Sequence, residues 1–300
     1  MIPLLPANNR SEEAEFAKPP GVHDRSIGDL IREARGLSDQ QIEQIVIYQR
    51  KYGLRFGEAA IALKLASKED VLQALAQQFH YPYAPGLSGP SKNTELVVAA
   101  SPFGDEAEAF RELRSQLMMG ALATDQPRRA LAVTSPDAGD GKSYVAANLA
   151  VAFSQLGGRT LLVDADMRTP RQHQLFSVSG AVGLSSILSG RAESNVVHQV
   201  AGLASLYVMP VGAVPPNPLE LVQRPAFGLL LHELLSKFDH VVVDTPAAAH
   251  GADARVIAAK SGAVLVIGRK GRSRMGKMQG LLKSLGKGPA AIAGVVMNEY

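Results

Sequence analysis

The chain has 300 residues, 46% of them hydrophobic and 20% charged, the balance of a globular protein long enough to bury a core without covalent staples. It contains no cysteine, which excludes disulfides, thiolate catalysis and cysteine-held metals and fits a cytoplasmic setting. A formal net charge of +3 gives no reason to expect a nucleic-acid partner. No apolar run reaches the ~18–20 residues that span a bilayer, and the apolar start Met1–Pro6 is too short and uncharged for a signal peptide.

Residues 1–24 mix prolines, asparagines and charges without periodicity and read as a disordered lead-in. Residues 25–83 read as a small helical domain built from a repeat. Gly28, Ser38 and Gln49 recur 29 residues later as Gly57, Ser67 and Gln78. Ile42, Ile45 and Val46 are answered by Val71, Ala74 and Leu75. Ser38 and Ser67 stand where helix N-caps belong, so two helical hairpins are expected to pack together. Residues 84–101, with Pro85 and Pro90, read as a linker.

Residues 102–300 begin with a helix expected from about Asp105 to Leu122. Apolar runs at Ala130–Thr134, Thr160–Asp164, Leu206–Met209, Val241–Asp244, Ala263–Gly268 and Ile292–Met297 then alternate with helical stretches. The runs are continuous, as strands buried on both faces are. The expected fold class is α/β: a doubly wound, mostly parallel sheet preceded by the small helical domain.

The first run leads into Ser135-Pro136-Asp137-Ala138-Gly139-Asp140-Gly141-Lys142-Ser143 and then a helix, the order a P-loop requires. Glycines at 139 and 141 free the backbone to turn its N–H groups around phosphate oxygens, and the helix aims its N-terminus at the same anion. Lys142 is expected to reach the β- and γ-phosphates of ATP and Ser143 to ligate Mg²⁺. Ala138 to Tyr144 form the ATP-binding segment. The strict pattern has glycine where Pro136 stands. The second run ends in Asp164-Ala165-Asp166, whose carboxylates share a side. At roughly 6 Å and an effective dielectric near 20 they repel by about 3 kcal/mol, a cost that a dication reverses. The fourth run delivers Asp244 as a Walker B carboxylate. All three motifs lie at carboxyl ends of parallel strands, where open α/β sheets bind ligands.

This ordered combination resembles the bacterial tyrosine kinases of capsule and exopolysaccharide export, the paired aspartates matching their Walker A′ motif. Glu108-x-x-Arg111-x-x-Arg114 is similar to the motif through which those kinases form rings. The segments Asp166-Met167-Arg168-x-Pro170-Arg171 and Gly212-x-x-Pro215-Pro216-Asn217-Pro218-x-Glu220 also look like that family. The resemblance covers about Pro102–Tyr300. It implies transfer of the ATP γ-phosphoryl group to tyrosine hydroxyls, mostly between subunits of a homo-oligomer. By the same resemblance Lys142, Asp164, Asp166 and Arg168 are catalytic, Asp164 accepting the tyrosine proton or holding the metal. Ser143, Asp164 and Asp244 serve Mg²⁺, Asn298 contacts adenine and Tyr300 is the phosphoacceptor. The partner implied is a membrane polysaccharide co-polymerase, which places the chain at the inner membrane through that partner. The alternative is an ATPase of the ParA/MinD class, whose signature lysine is replaced here by Asp137.

Residues 25–83 resemble the N-terminal domain of type II secretion and type IV pilus assembly ATPases. Arg55-Phe56-Gly57 is similar to a motif through which some members bind cyclic di-GMP, while Arg25-Ser26-Ile27-Gly28 has its arginine displaced by one. Docking to an export partner and cyclic di-GMP sensing are both open. Arg269–Lys277 holds five basic residues in nine and reads as a solvated loop or, alternatively, as a contact to anionic lipid or a membrane protein.

Overall fold

The computed structural model describes residues 25–78, 95–191 and 196–299. These fall into two compact units, one from the amino-terminal region and one from residue 95 onward. The acceptor expected at Tyr300 lies outside the described residues.

The first unit is four helices: α1 (Ile27–Arg35), α2 (Asp39–Tyr52), α3 (Phe56–Ala62) and α4 (Lys68–Gln78). The repeat is structural, since α1 and α3 start 29 residues apart, as do α2 and α4. Three of the four helix starts, those of α1, α2 and α4, are capped by a serine. Asp29 donates its N–H to Ser26 Oγ, Gln41 to Ser38 Oγ and Asp70 to Ser67 Oγ, and each such cap contributes about 1 kcal/mol. Gly36 and Gly53 end α1 and α2 in the left-handed region, at φ 62° and 65°, where other residues are strained. Ile31, Ile45, Ala59, Ala60 and Ala74 form the core. The close approach of α3 to α4 depends on Gly57, where a Cβ would lie 2.6 Å from Val71 Cγ1.

The second unit carries a seven-stranded sheet: β1 (Ala130–Thr134), β2 (Thr160–Asp164), β3 (His198–Val200), β4 (Leu203–Met209), β5 (His240–Asp244), β6 (Gly262–Arg269) and β7 (Ala291–Asn298). The strand order is β3-β4-β2-β5-β1-β6-β7. All pairs are parallel except β3 with β4. β1, β2 and nearly all of β5 and β6 are buried, as their uninterrupted apolar runs require. β7, expected to be buried on both faces, is instead a half-exposed edge strand with Ile292, Val295 and Met297 exposed.

The helices are α5 (Val97–Ala100), α6 (Asp105–Met119), α7 (Lys142–Ser154), α8 (Gln172–Leu175), α9 (Leu184–Leu188), α10 (Pro218–Gln223), α11 (Pro225–Lys237), α12 (Asp253–Ser261) and α13 (Met275–Leu285). α7 is buried along almost its whole length, so it is apolar all round rather than amphipathic. α6 stops at Met119, three residues short of the expected Leu122, because Gly120 follows. The expected linker to residue 101 is also shorter. Leu96, Val98 and Ala99 are buried, and Asn148 of α7 accepts from the Val98 N–H while its amide donates to the Glu95 carbonyl. Apolar side chains and backbone bonds make 95–100 part of this unit.

Candidate active site

The P-loop motif lies between β1 and α7, with Gly139 at φ 84° and Gly141 at φ 96°, conformations that glycine adopts without strain. Pro136, in the place of the customary glycine, leaves the loop intact, its carbonyl accepting from Ala249 N–H. Asp140 is buried and braces the loop, accepting from Asp137 N–H at 2.9 Å and from Ser273 Oγ at 2.8 Å. The basic stretch 269–277 is mostly exposed, as expected of a solvated loop, but its two ends touch the P-loop. Arg269 donates to the Gly139 carbonyl and Lys277 holds both Asp137 oxygens at 2.7 and 2.9 Å. Opposite charges draw it onto the P-loop. Asn298, at the end of β7, donates to the Asp140 carbonyl, which puts it beside the loop where an adenine contact was expected.

Three carboxylates and one ammonium meet behind this loop. β2 and β5 pair in a register that sets Asp164 opposite Asp244. Lys142 Nζ lies 2.7 Å from Asp166 Oδ2 and donates to Ser143 Oγ at 3.3 Å. Asp164, Asp166 and Asp244 are fully buried. Asp164 accepts from the N–H groups of Asp166, Arg171 and Gln172. Asp166 accepts from Arg168 and Thr169 N–H and from Thr169 Oγ1. Asp244 Oδ2 takes a 2.8 Å bond from Gln172 Nε2, while its Oδ1 is buried with no partner among the described residues.

Burial, and then the facing Asp244 carboxylate, push the Asp164 pKa well above the usual carboxylate value. Burial raises Asp244 as well, only partly offset by Lys142. Asp166 goes the other way, because the charge and hydrogen bond of Lys142 outweigh its burial. Burial lowers Lys142, but Asp244 and Asp166 outweigh it and the ammonium is held more firmly than usual.

Three acidic groups share one ammonium, so that burial pushes Asp164 and Asp244 toward protonated forms that a further cation would oppose, and the orphaned Asp244 Oδ1 asks for a donor. These residues fit Mg²⁺ and its bound waters. Among the described residues no three acidic or histidine side chains form a metal cage, as suits an ion that keeps waters and takes phosphate oxygens as ligands. A cavity of about 750 Å³ opens against Gly139, Lys142 and Ser143, with Thr169 and Arg171 on its wall. That volume lies in the range of nucleotide-sized sites.

Other expected residues are engaged elsewhere. The Arg168 guanidinium is held by buried Asp253 at 3.1 and 3.2 Å. Tyr144, by contrast, lines the same cavity as Lys142 and Ser143 while packing edge-on to Phe110. Of the expected ring motif, Arg111 is bound to Glu108 and to the Pro102 carbonyl, and Arg114 donates to the Ala152 carbonyl at 2.6 Å. Both arginines thus tie α6 to its own chain. Gln172, Asp253 and Asn148 were not foreseen. They belong to no short motif, and only the fold brings them to the site.

A profile of the CobQ/CobB/MinD/ParA nucleotide binding domain matches residues 131–300. The putative tyrosine-protein kinase CapB of Staphylococcus aureus is 33% identical over 207 residues, 68% of this chain and 89% of that protein. The tyrosine-protein kinase Wzc of Salmonella typhimurium is 31% identical over 207 residues, but these span only 28% of Wzc. The kinase domain of the Escherichia coli tyrosine kinase Etk superposes with a TM-score of 0.64 at 31% identity, covering 68% of this chain and 79% of that domain. A phosphate loop beside a buried carboxylate set, together with this similarity, leads to one conclusion: the chain belongs to the bacterial tyrosine-protein kinases and carries a nucleotide-binding domain of the CobQ/CobB/MinD/ParA type.

Proposed function

We propose that the chain transfers the γ-phosphoryl group of Mg-ATP to tyrosine hydroxyls, its own and those of proteins in an exopolysaccharide export system. The carrying observation is the union of Lys142 with the buried Asp164, Asp166 and Asp244 behind the P-loop. Lys142 binds the β- and γ-phosphates and withdraws charge from the transferred group, and the loop N–H groups orient the chain of phosphates. Asp164, made more basic by burial, accepts the tyrosyl proton. Ser143 and Asp244 hold Mg²⁺, which when bound neutralises charge on the β- and γ-oxygens. Asn298 orients the adenine. Thr169 and backbone N–H groups hold Asp166, which in turn sets the lysine.

The ParA/MinD reading shares the domain but not the loop: Asp137 stands where those ATPases carry their signature lysine, and Lys277 binds it. For the amino-terminal unit we favour docking to an export partner over cyclic di-GMP sensing. Arg25 is already bound by Glu33 at 2.6 Å, and Ile47 and Tyr52 stand exposed on α2. No helix among the described residues is long and apolar enough to cross a membrane, which fits membrane contact through a polysaccharide co-polymerase. Oligomerisation through Glu108, Arg111 and Arg114, and phosphorylation of Tyr300, belong to the same proposal. Purified protein incubated with Mg-ATP should acquire phosphotyrosine, and Lys142→Met should not. Hydrolysis of ATP without phosphotyrosine, on the protein or on an added tyrosine polymer, would favour the ATPase.

A further inference from the structure

We infer that Tyr52, the last residue of α2, is a phosphoacceptor for the kinase site of a second copy of this chain, an inference that rests on the tyrosine-kinase reading above. Four tyrosines lie among the described residues, at positions 48, 52, 144 and 207, and Tyr52 alone falls in the exposed class, at 54%. Tyr48 is half-buried against the core of its unit, Tyr144 packs on Phe110 and Tyr207 on Phe238. The Tyr52 ring lies tilted against Tyr48, centroids 4.4 Å apart, and its hydroxyl has no hydrogen-bond partner among the described residues.

Position and charge both suit an acceptor. α2 ends at Tyr52 because Gly53 turns left-handed, and the N–H groups of Gly53 and Leu54 both return to the Gln49 carbonyl. Releasing this last turn to present the tyrosine in extended form gives up a few exposed hydrogen bonds at about 1 kcal/mol each. Arg50, Lys51 and Arg55 flank the tyrosine. Glu106 lines the cavity that opens on Lys142 and Ser143, where Glu95 is already paired with Arg171, and Asp105 shares the first turn of α6 with Glu106. A basic acceptor segment therefore finds Glu106 and Asp105 at the cavity's rim, the local complementarity that speeds encounter.

In the transfer, Tyr52 Oη forms a bond to the γ-phosphorus as the bond to the β,γ-bridging oxygen breaks. The phenolic proton passes to the Asp164 carboxylate, and ADP leaves with the bond's electron pair. The product phosphate is placed next to Lys51, whose Nζ already lies 5.3 Å from the ring centroid. It puts up to two negative charges on the exposed carboxyl end of α2.

The test uses the full chain, with the Tyr52→Phe chain as enzyme and Lys142→Met as acceptor, in Mg-ATP, so that only the acceptor carries Tyr52. Cleavage after glutamate yields the peptide Gln44–Glu58, and its fragmentation spectrum assigns the phosphate. Phosphate on Tyr52, absent from an acceptor also carrying Tyr52→Phe, is the expected result. Arg50→Glu with Lys51→Glu in the acceptor should lower incorporation at Tyr52 about fivefold. Phosphotyrosine on an added tyrosine polymer with none at Tyr52, or at Tyr48 in its place, would overturn the inference and leave the kinase reading standing. Unchanged incorporation after charge reversal would overturn the recognition argument. No phosphotyrosine on either protein or polymer would overturn the kinase reading and this inference together.

Discussion

Replacing Gln172 with leucine tests the buried half of the site while leaving every ionisable group in place. The change removes two amide bonds, 2.8 Å to Asp244 Oδ2 and 3.1 Å to the Ser143 carbonyl. It keeps the backbone N–H of residue 172 on Asp164. A hydrogen bond to a buried charged acceptor is worth about 1.5–3 kcal/mol, and Asp244 Oδ1 has no partner among the described residues to compensate. A loss near 2 kcal/mol corresponds to about 30-fold in an equilibrium or a rate. The amide bond lowers the Asp244 pKa against the burial that raises it, so its removal pushes that pKa further up. The carboxylate form then needs higher pH. Tyrosine phosphorylation measured against pH and Mg²⁺ should show kcat/KM reduced about 30-fold at neutral pH, a higher Mg²⁺ requirement and partial recovery under alkaline conditions. A Gln172→Leu enzyme that folds and keeps wild-type Mg²⁺ and pH dependence would refute the reasoning, because Asp244 would then not act through its charged form.

Three further changes probe the rest of the account. Gly57→Ala puts a Cβ at 2.6 Å from Val71 Cγ1 and should destabilise the amino-terminal unit by about 1–3 kcal/mol, read by urea unfolding, without lowering ATP binding. Asn148→Ala removes bonds to the Val98 N–H and to the Glu95 and Tyr144 carbonyls. About 2–3 kcal/mol of stability should be lost, with faster amide exchange across 95–100; unchanged exchange would show that Asn148 does not hold that segment. Asp164→Asn should abolish transfer and change how stability depends on pH. The Asp164 pKa is raised by burial and by Asp244, so its favourable contribution is complete below the unfolded value of about 3.9 and is lost as pH climbs to the folded pKa. A neutral amide escapes that loss but keeps one acceptor oxygen for N–H groups that bond both carboxylate oxygens. In EDTA without nucleotide, the melting temperature of the variant relative to wild type should therefore rise as pH is raised from about 4 to about 8. A relative melting temperature that stays flat or falls over that range would show that the charge is not the cost.

What the sequence disclosed followed from how local each feature is. The P-loop, the paired aspartates and Asp244 are contiguous or end strands whose apolar runs mark them, and both helical hairpins declared themselves through spacing and caps. Gln172 was invisible, since it sits in a four-residue helix and acts only because β2 and β5 bring Asp164 and Asp244 together. Asp253 faces Arg168 across 85 residues. Segment 95–100 was lost in a proline-rich stretch because its partners, on α7, lie some fifty residues on. The basic run 269–277 is as exposed as it reads, but the contacts of Lys277 and Ser273 with Asp137 and Asp140 join positions 140 and 133 apart and leave no local signal. The three-residue β3 is too short for alternation to reveal.

The central claim is that the buried carboxylates and Lys142 send the γ-phosphoryl group to tyrosine rather than to water. It is tested by a single-turnover experiment with γ-labelled Mg-ATP and excess protein, followed by phosphoamino acid analysis and quantitation of free phosphate. The account predicts label mainly on tyrosine in the wild type and none in Lys142→Met. Label released as inorganic phosphate, with tyrosine unlabelled on the protein and on an added tyrosine polymer, would contradict it.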